Sequence, residues 1–146
     1  MRLIYLFLMG FVSISFSPIP QVSTSPIDIH LSNIRNAEGY IYIFIYTYKN
    51  QYPYEPYKYY KVAKNKINNG HLTARISNLN ISGNCAISLI DDENSNEDLD
   101  RWLGLPTEGY GFSNNVTPLF SLPDYEDLII NLSTKKTLNI KVQYLL

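Results

Sequence analysis

The run Tyr40-Ile41-Tyr42-Ile43-Phe44-Ile45-Tyr46-Thr47-Tyr48 decides the fold class. Successive side chains of an extended strand point to opposite faces. Ile41, Ile43 and Ile45 therefore share one face, and Tyr40, Tyr42, Phe44, Tyr46 and Tyr48 share the other. Neither face is polar. A strand with one isoleucine face and one aromatic face belongs at the centre of a sheet, or turns one face toward a partner.

Reading outward from this run, the same period-two alternation recurs and no long stretch shows the helical period. Ile27, Ile29 and Leu31 face one way, while Asp28, His30 and Ser32 face the other. Further strands are predicted over 71–79, 84–91, 127–132 and 137–144. The last places Leu138, Ile140, Val142 and Tyr144 inward and Asn139, Lys141 and Gln143 outward. Turn signals punctuate the strands at Asn36-Ala37-Glu38-Gly39, Asn68-Asn69-Gly70 and Ser82-Gly83-Asn84. Half-polar sheets must cover their apolar faces, so the expected fold is an all-β antiparallel sandwich of about seven strands, immunoglobulin-like or transthyretin-like. The segment 101–124 has no clean periodicity, and an irregular connection of that length is usually functional or metal-supported.

The chain has 146 residues, 45% hydrophobic and 17% charged, which suits one folded domain, assigned to 26–146. A net charge of −1 offers no electrostatic case for nucleic acid or an anionic membrane. Arg2 followed by the apolar run 3–16 reads as an export signal, with Ser13 and Ser15 as the small residues of a cleavage site. The signal is assigned to 1–15 and an N-terminal tail to 16–25, which places the mature protein in the periplasm or outside the cell. The competing reading is an uncleaved anchor, but the run is short for a bilayer span. Cleavage leaves no transmembrane span. Cys85 is the single cysteine, so no internal disulfide can form. With His30 and His71 it makes too few soft ligands for structural zinc.

Two further features bear on function. Six of the 13 acidic residues fall within 91–100, and Asp92, Asn94, Asn96, Asp98 and Asp100 recur at every second place. Such spacing lets a tight loop aim hard oxygens at one centre, which points to calcium as the cofactor; the twelfth-position acid of a calcium loop is absent, and Leu103 stands there. The competing reading is a solvated turn whose short Asx side chains bond their own backbone. Trp102 and Leu103 are expected to anchor this loop to the sandwich. Tyrosine is also dense over 46–60, and Tyr40, Tyr42, Tyr46 and Tyr48 form a candidate ligand-binding face for a glycan or a protein at the cell envelope. The alternative is that these aromatic residues pack. Glu108-Gly109-Tyr110-Gly111-Phe112-Ser113-Asn114 lacks the following helix of a phosphate loop and a base for Ser113. It reads as a structural loop whose glycines supply positive φ.

These motifs resemble a bacterial family of exported β-sandwich proteins catalogued as domain of unknown function 2141. The residues that carry the resemblance are Asp92, Asn94, Asn96 and Asp100, then Gly104, Pro106, Glu108, Gly109, Gly111, Phe112, Ser113 and Asn114. Pro123, Tyr125 and Asp127 form a third element, and Gly83, Ala86 and Ile87 match upstream. Four positions depart from the pattern: Asp91 replaces His, Glu97 replaces Gly, Cys85 replaces Tyr and Ile81 replaces Pro. The loss of Gly at 97 weakens any calcium loop, since that position requires an unusual backbone. The resulting expectation is a non-enzymatic binding or structural module of the cell envelope. The alternative is a glycoside hydrolase pairing Asp92 or Asp100 with Glu108.

Overall fold

The computed structural model describes residues 25–81, 83–118 and 121–146. The segment read as an export signal, and nearly all of the tail, lie outside the described residues. The alternating segments form β1 (Ile27–Ser32), β2 (Tyr40–Tyr46), β3 (Lys58–Ala63), β4 (Leu72–Ile76), β5 (Asn84–Asp92), β6 (Arg101–Trp102), β7 (Leu105–Pro106), β8 (Gly109–Phe112), β9 (Ile130–Asn131) and β10 (Thr137–Lys141). Three short 3-10 turns join them, and no α-helix occurs among the described residues. No helix there is long and apolar enough to cross a membrane.

The fold is an all-β sandwich. One sheet has the order β10-β1-β4, the other β3-β2-β5-β8 with β9 also on β5, and β6-β7 is a separate hairpin. Pairing is antiparallel except for β1 with β10, which run parallel. The isoleucine face of β2 turns inward, where Ile41, Ile43 and Ile45 meet Cys85, Ile87 and Leu89 of β5 and, from the opposite sheet, Ile27, Ile29, Leu31, Leu138 and Ile140. Each such side chain, fully buried, is worth about 2 kcal/mol of transfer free energy. The aromatic face of β2 is covered at one end by a second cluster. Tyr46 packs there with Ala86, Tyr110, Phe112, Tyr125 and Leu128. The larger sheet is thus buried on both faces at that end, as the two apolar faces of β2 require.

Besides the short β6-β7 hairpin, which also falls in the stretch read as irregular, two strands depart from the sequence expectation. The first, β3, lies in the tyrosine-rich segment, where Lys58, Tyr60 and Val62 are half-buried and Tyr59, Lys61 and Ala63 are exposed. It is an edge strand, and its lysines suit an edge that must not pair with another chain. The second, β8, lies within the stretch read as irregular. Its Gly109 and Gly111 lack positive φ, so the expected reason for these glycines is corrected. They are needed for space: a Cβ on Gly109 would stand 2.6 Å from the Tyr144 ring, and one on Gly111 would stand 3.0 Å from Ile140. The strand expected over 127–132 shrinks to β9, because a 3-10 turn takes Tyr125–Leu128.

Gly39 enters β2 at φ +70, and a Cβ there would lie 1.8 Å from the backbone oxygen of Asp92. Backbone cannot yield as a side chain can. Gly39→Ala is therefore expected to cost about 3 kcal/mol or more. Gly83→Ala, at φ +100 with open space around it, is expected to cost about 1 kcal/mol. Chemical denaturation of the two variants side by side measures the difference.

Candidate functional site

The end of the sandwich where β5 stops carries most of the buried charge. Asp91 continues the inward phase of Ile87 and Leu89, and Lys64 continues that of Tyr60 and Val62. Both charges consequently arrive inside the core. Their side chains have 0% exposure, and Lys64 Nζ lies 2.5 Å from Asp91 Oδ1. Tyr144 donates its hydroxyl to Asp91 Oδ2 at 2.5 Å, and Lys64 Nζ also donates to Asn36 Oδ1 at 3.0 Å. Burial pushes the Asp91 carboxyl up, against the opposing hydrogen bonds from Lys64 and Tyr144. Period-two phase was the available signal for this pair, because a charged residue at an inward position demands a buried partner.

A second set of groups lies just outside. Arg35 forks onto Glu93 through Nε at 2.8 Å and an Nη at 2.6 Å, and its guanidinium stacks 4.5 Å above the Tyr144 ring. Asn36 Nδ2 donates to the same Glu93 at 2.6 Å. The hydrogen bonds from Arg35 hold Glu93 below the usual carboxylate range.

The acidic loop is held by its own hydrogen bonds. Asp92 is buried, and its two oxygens accept the backbone N–H groups of Asn96 at 3.1 Å and Glu97 at 3.0 Å. Asp100 accepts the side-chain amides of Asn94 at 2.6 Å and Asn96 at 2.9 Å. The Oδ1 atoms of Asn94 and Asn96 accept N–H groups two residues on, at 3.0 Å each. Asp98 Oδ1 accepts the N–H of Leu99 at 2.8 Å. Buried Glu108 closes the loop at its base, accepting from Glu93 N at 2.9 Å and Asp100 N at 3.1 Å. Among the described residues no three carboxylate, imidazole or thiol groups come together in a way that could hold a metal ion. The oxygens of Asp92, Asn94, Asn96 and Asp100 named in the calcium expectation accept N–H donors from within the loop.

Glu97, which stands where the family pattern has Gly, does adopt the left-handed backbone, with φ 68. Its side chain is anchored by the Tyr42 hydroxyl and by Lys61 Nζ, each at 3.1 Å. The loop is thereby tied to the aromatic face of the larger sheet. The following motif is also structural. Ser113 Oγ accepts from Ile87 N at 3.1 Å and donates to Leu128 O at 2.5 Å. Asn114 and Asn115 take the positive φ values, 61 and 55, and bond backbone groups at Asp127, Ile129, Asn139 and Lys141.

The candidate tyrosines do not share one environment. Tyr42 and Tyr46 are buried at 6% and 3% exposure, Tyr40 is half-buried, and Tyr48 is exposed. The open rings of the segment are those of Tyr48, Tyr54, Tyr57 and Tyr59. Tyr59 of β3 sits 6.3 Å from Phe44 and 6.5 Å from Tyr42 between ring centroids, and Tyr42 and Phe44 lie within 16° of parallel. Lys61 Nζ stands 4.2 Å over the Tyr40 ring. An aromatic row with a charged border thus runs across β2 and β3. Trp102 and Leu103 are not buried against the sandwich as expected: they are 62% and 81% exposed on the β6-β7 hairpin. Leu103 and Gly104 both have positive φ there, the geometry of a two-residue hairpin turn, which points its tip outward. Two shallow hollows lie elsewhere, along Lys66–Thr73 and beside Asn114 and Asn115, and neither is lined by Glu108 or a loop aspartate.

A family model described as "Uncharacterized protein conserved in bacteria (DUF2141)" matches residues 29–141, and the chain belongs to that family. No curated protein and no solved structure matches it.

Two measurements test this account. With both oxygens of Asp92, Asp100 and Glu108 already bonded to N–H donors, Tm is expected to be the same in calcium and in chelator. A calcium-dependent rise that Asp92→Ala removes would restore the ion-binding reading. For Glu93, the folded pKa lies below the unfolded one. Its contribution is therefore present above the ordinary carboxylate range and is lost as pH falls through the depressed folded value. Glu93→Gln is expected to cost about 1 kcal/mol at neutral pH, a figure kept small because Arg35 is partly solvated, and to flatten the acid limb of the stability profile.

Proposed function

We propose that the protein is an exported, non-enzymatic binding module of the bacterial cell envelope whose platform is the aromatic row on the outer face of β2 and β3, and whose ligand is a glycan. The observation that carries this reading is the ring row of Tyr42, Phe44 and Tyr59 with Lys61 and Glu97 at its border. The apolar C–H face of a sugar ring stacks on an aromatic ring, while hydroxyls need donors and acceptors beside it; a charged pair next to stacked rings provides both. Tyr59 carries most of the open surface of the row. Tyr42 and Phe44 flank it on the same face. Export rests on the N-terminal apolar run ending in small residues.

Catalysis is the weaker reading. A glycoside hydrolase needs one carboxyl free to donate a proton and a second facing it across a cleft. Asp92 and Glu108 each have both oxygens occupied by backbone N–H groups. Both oxygens of Asp100 accept from asparagine amides. In this reading the acidic loop is a strut beneath the platform.

The test is a screen of the purified chain against immobilised bacterial and plant polysaccharides. Tyr59→Ala is expected to weaken retention on the selected glycan at least tenfold while leaving Tm within a few degrees, because its ring is largely exposed. Retention unchanged by Tyr59→Ala would remove the platform from the account. Tyr46→Ser, a buried change, is expected to cost about 3 kcal/mol of stability and serves as the contrast.

A further inference from the structure

Three side chains at the end of the core form an arrangement that neither the loop nor the platform uses. Lys64 Nζ lies 2.5 Å from Asp91 Oδ1 and 3.0 Å from Asn36 Oδ1. Lys64 and Asp91 have no exposed side-chain surface. Asn36 is half-buried, and its Nδ2 is held by Glu93 at 2.6 Å. An amine, a carboxamide and a carboxyl group so placed supply the parts of an acyl transfer: a nucleophile, an acyl carbon with a leaving group, and a proton carrier between them.

We propose that Lys64 and Asn36 condense into an intramolecular amide cross-link, with Asp91 as the proton carrier. The Lys64 ammonium first gives a proton to the Asp91 carboxylate, which leaves a neutral amine. The Nζ lone pair attacks Asn36 Cγ, and the C=O electron pair moves onto Oδ1. Collapse re-forms the C=O bond and breaks the Cγ–Nδ2 bond. The second proton leaving Nζ passes to Nδ2, which departs as ammonia. Asp91 keeps the first proton and ends as a neutral carboxylic acid, whose O–H can hydrogen-bond to the oxygen of the new amide. Nothing is oxidised or reduced, and no co-reactant is needed.

Two physical features favour the step. The groups are held together out of water, so the reaction has the high effective concentration of a pre-positioned pair. The product also removes both charges from the core, and with them the desolvation cost of a buried ion pair. Lys64 is sealed, whereas Asn36 reaches the surface and gives ammonia a way out. The bond would close residues 36 to 64 into a covalent ring containing β2 and β3.

Intact-mass spectrometry of the full chain under denaturing conditions tests this, with its first residue fixed by N-terminal sequencing. The mass is expected to fall short of the calculated value by one ammonia, about 17 Da. Trypsin should release a branched peptide joining 36–49 to 62–66, since the acylated Lys64 is no longer cut. Asn36→Ala and Asp91→Ala are each expected to restore the calculated mass. The wild-type chain alone is decisive, whatever the folding of the variants. A full calculated mass, or a shortfall of one water from a bond between Lys64 and Asp91 themselves, would overturn the proposal.

Discussion

A carboxyl group at the inner end of β5, with no contact to solvent, sets the terms for everything near it. An ionised group in that position is tolerated only if partners replace the water it has lost. Asp91 recruits Lys64 from the end of β3 and Tyr144 from the segment after β10. These partners determine where β3 must stop and how the chain after β10 must return across Gly109. The Tyr144 ring in turn lies under the Arg35 guanidinium, and Arg35 grips Glu93. One buried charge thus joins the β1–β2 connection, the edge strand and the C-terminal segment. Removing one partner would leave the others as uncompensated charge or unmatched donors, which costs more than the pair itself contributes.

The acidic loop shows how one composition suits two chemistries. Asp, Asn and Glu oxygens accept N–H groups as readily as they bind cations, and this loop contains backbone and side-chain amide donors for most of them. Alternating Asx residues close small turns onto themselves, while Glu108 covers the two N–H groups at the base. Ligand spacing alone does not separate the two outcomes. The direction of each oxygen does, and that depends on Ser95 and Glu97 adopting left-handed backbone.

Period-two alternation made the inner faces legible, because burial selects the same phase along a whole strand. Ile41, Ile43 and Ile45 and their counterparts on β1, β5 and β10 occupy the expected positions. Besides the two-residue strands of the β6-β7 hairpin, two strands were hidden, for different reasons. In β3 the inward residues are only half-buried, so Lys58 and Tyr60 carry no clear apolar phase. In β8 two glycines erase the pattern, since the space they vacate is filled by Tyr144, Val142, Ile140 and Leu89. The tyrosines could not be sorted into packed and open ones either, because tyrosine suits both settings. Tyr46, at the end of β2, packs in the second cluster, whereas Tyr48, past the strand, is exposed, and no local pattern reports that difference.

The exposed position of Trp102 has a practical side. It is the only tryptophan in the chain, and on the β6-β7 hairpin its indole is already solvated when the protein is folded. Its fluorescence therefore reports on the hairpin and barely registers loss of the core, so an unfolding curve followed by tryptophan emission would understate the cooperativity of the transition. The same isolation makes it a ready-made optical probe: any surface that seats the hairpin tip would shift and sharpen a signal free of contributions from the interior.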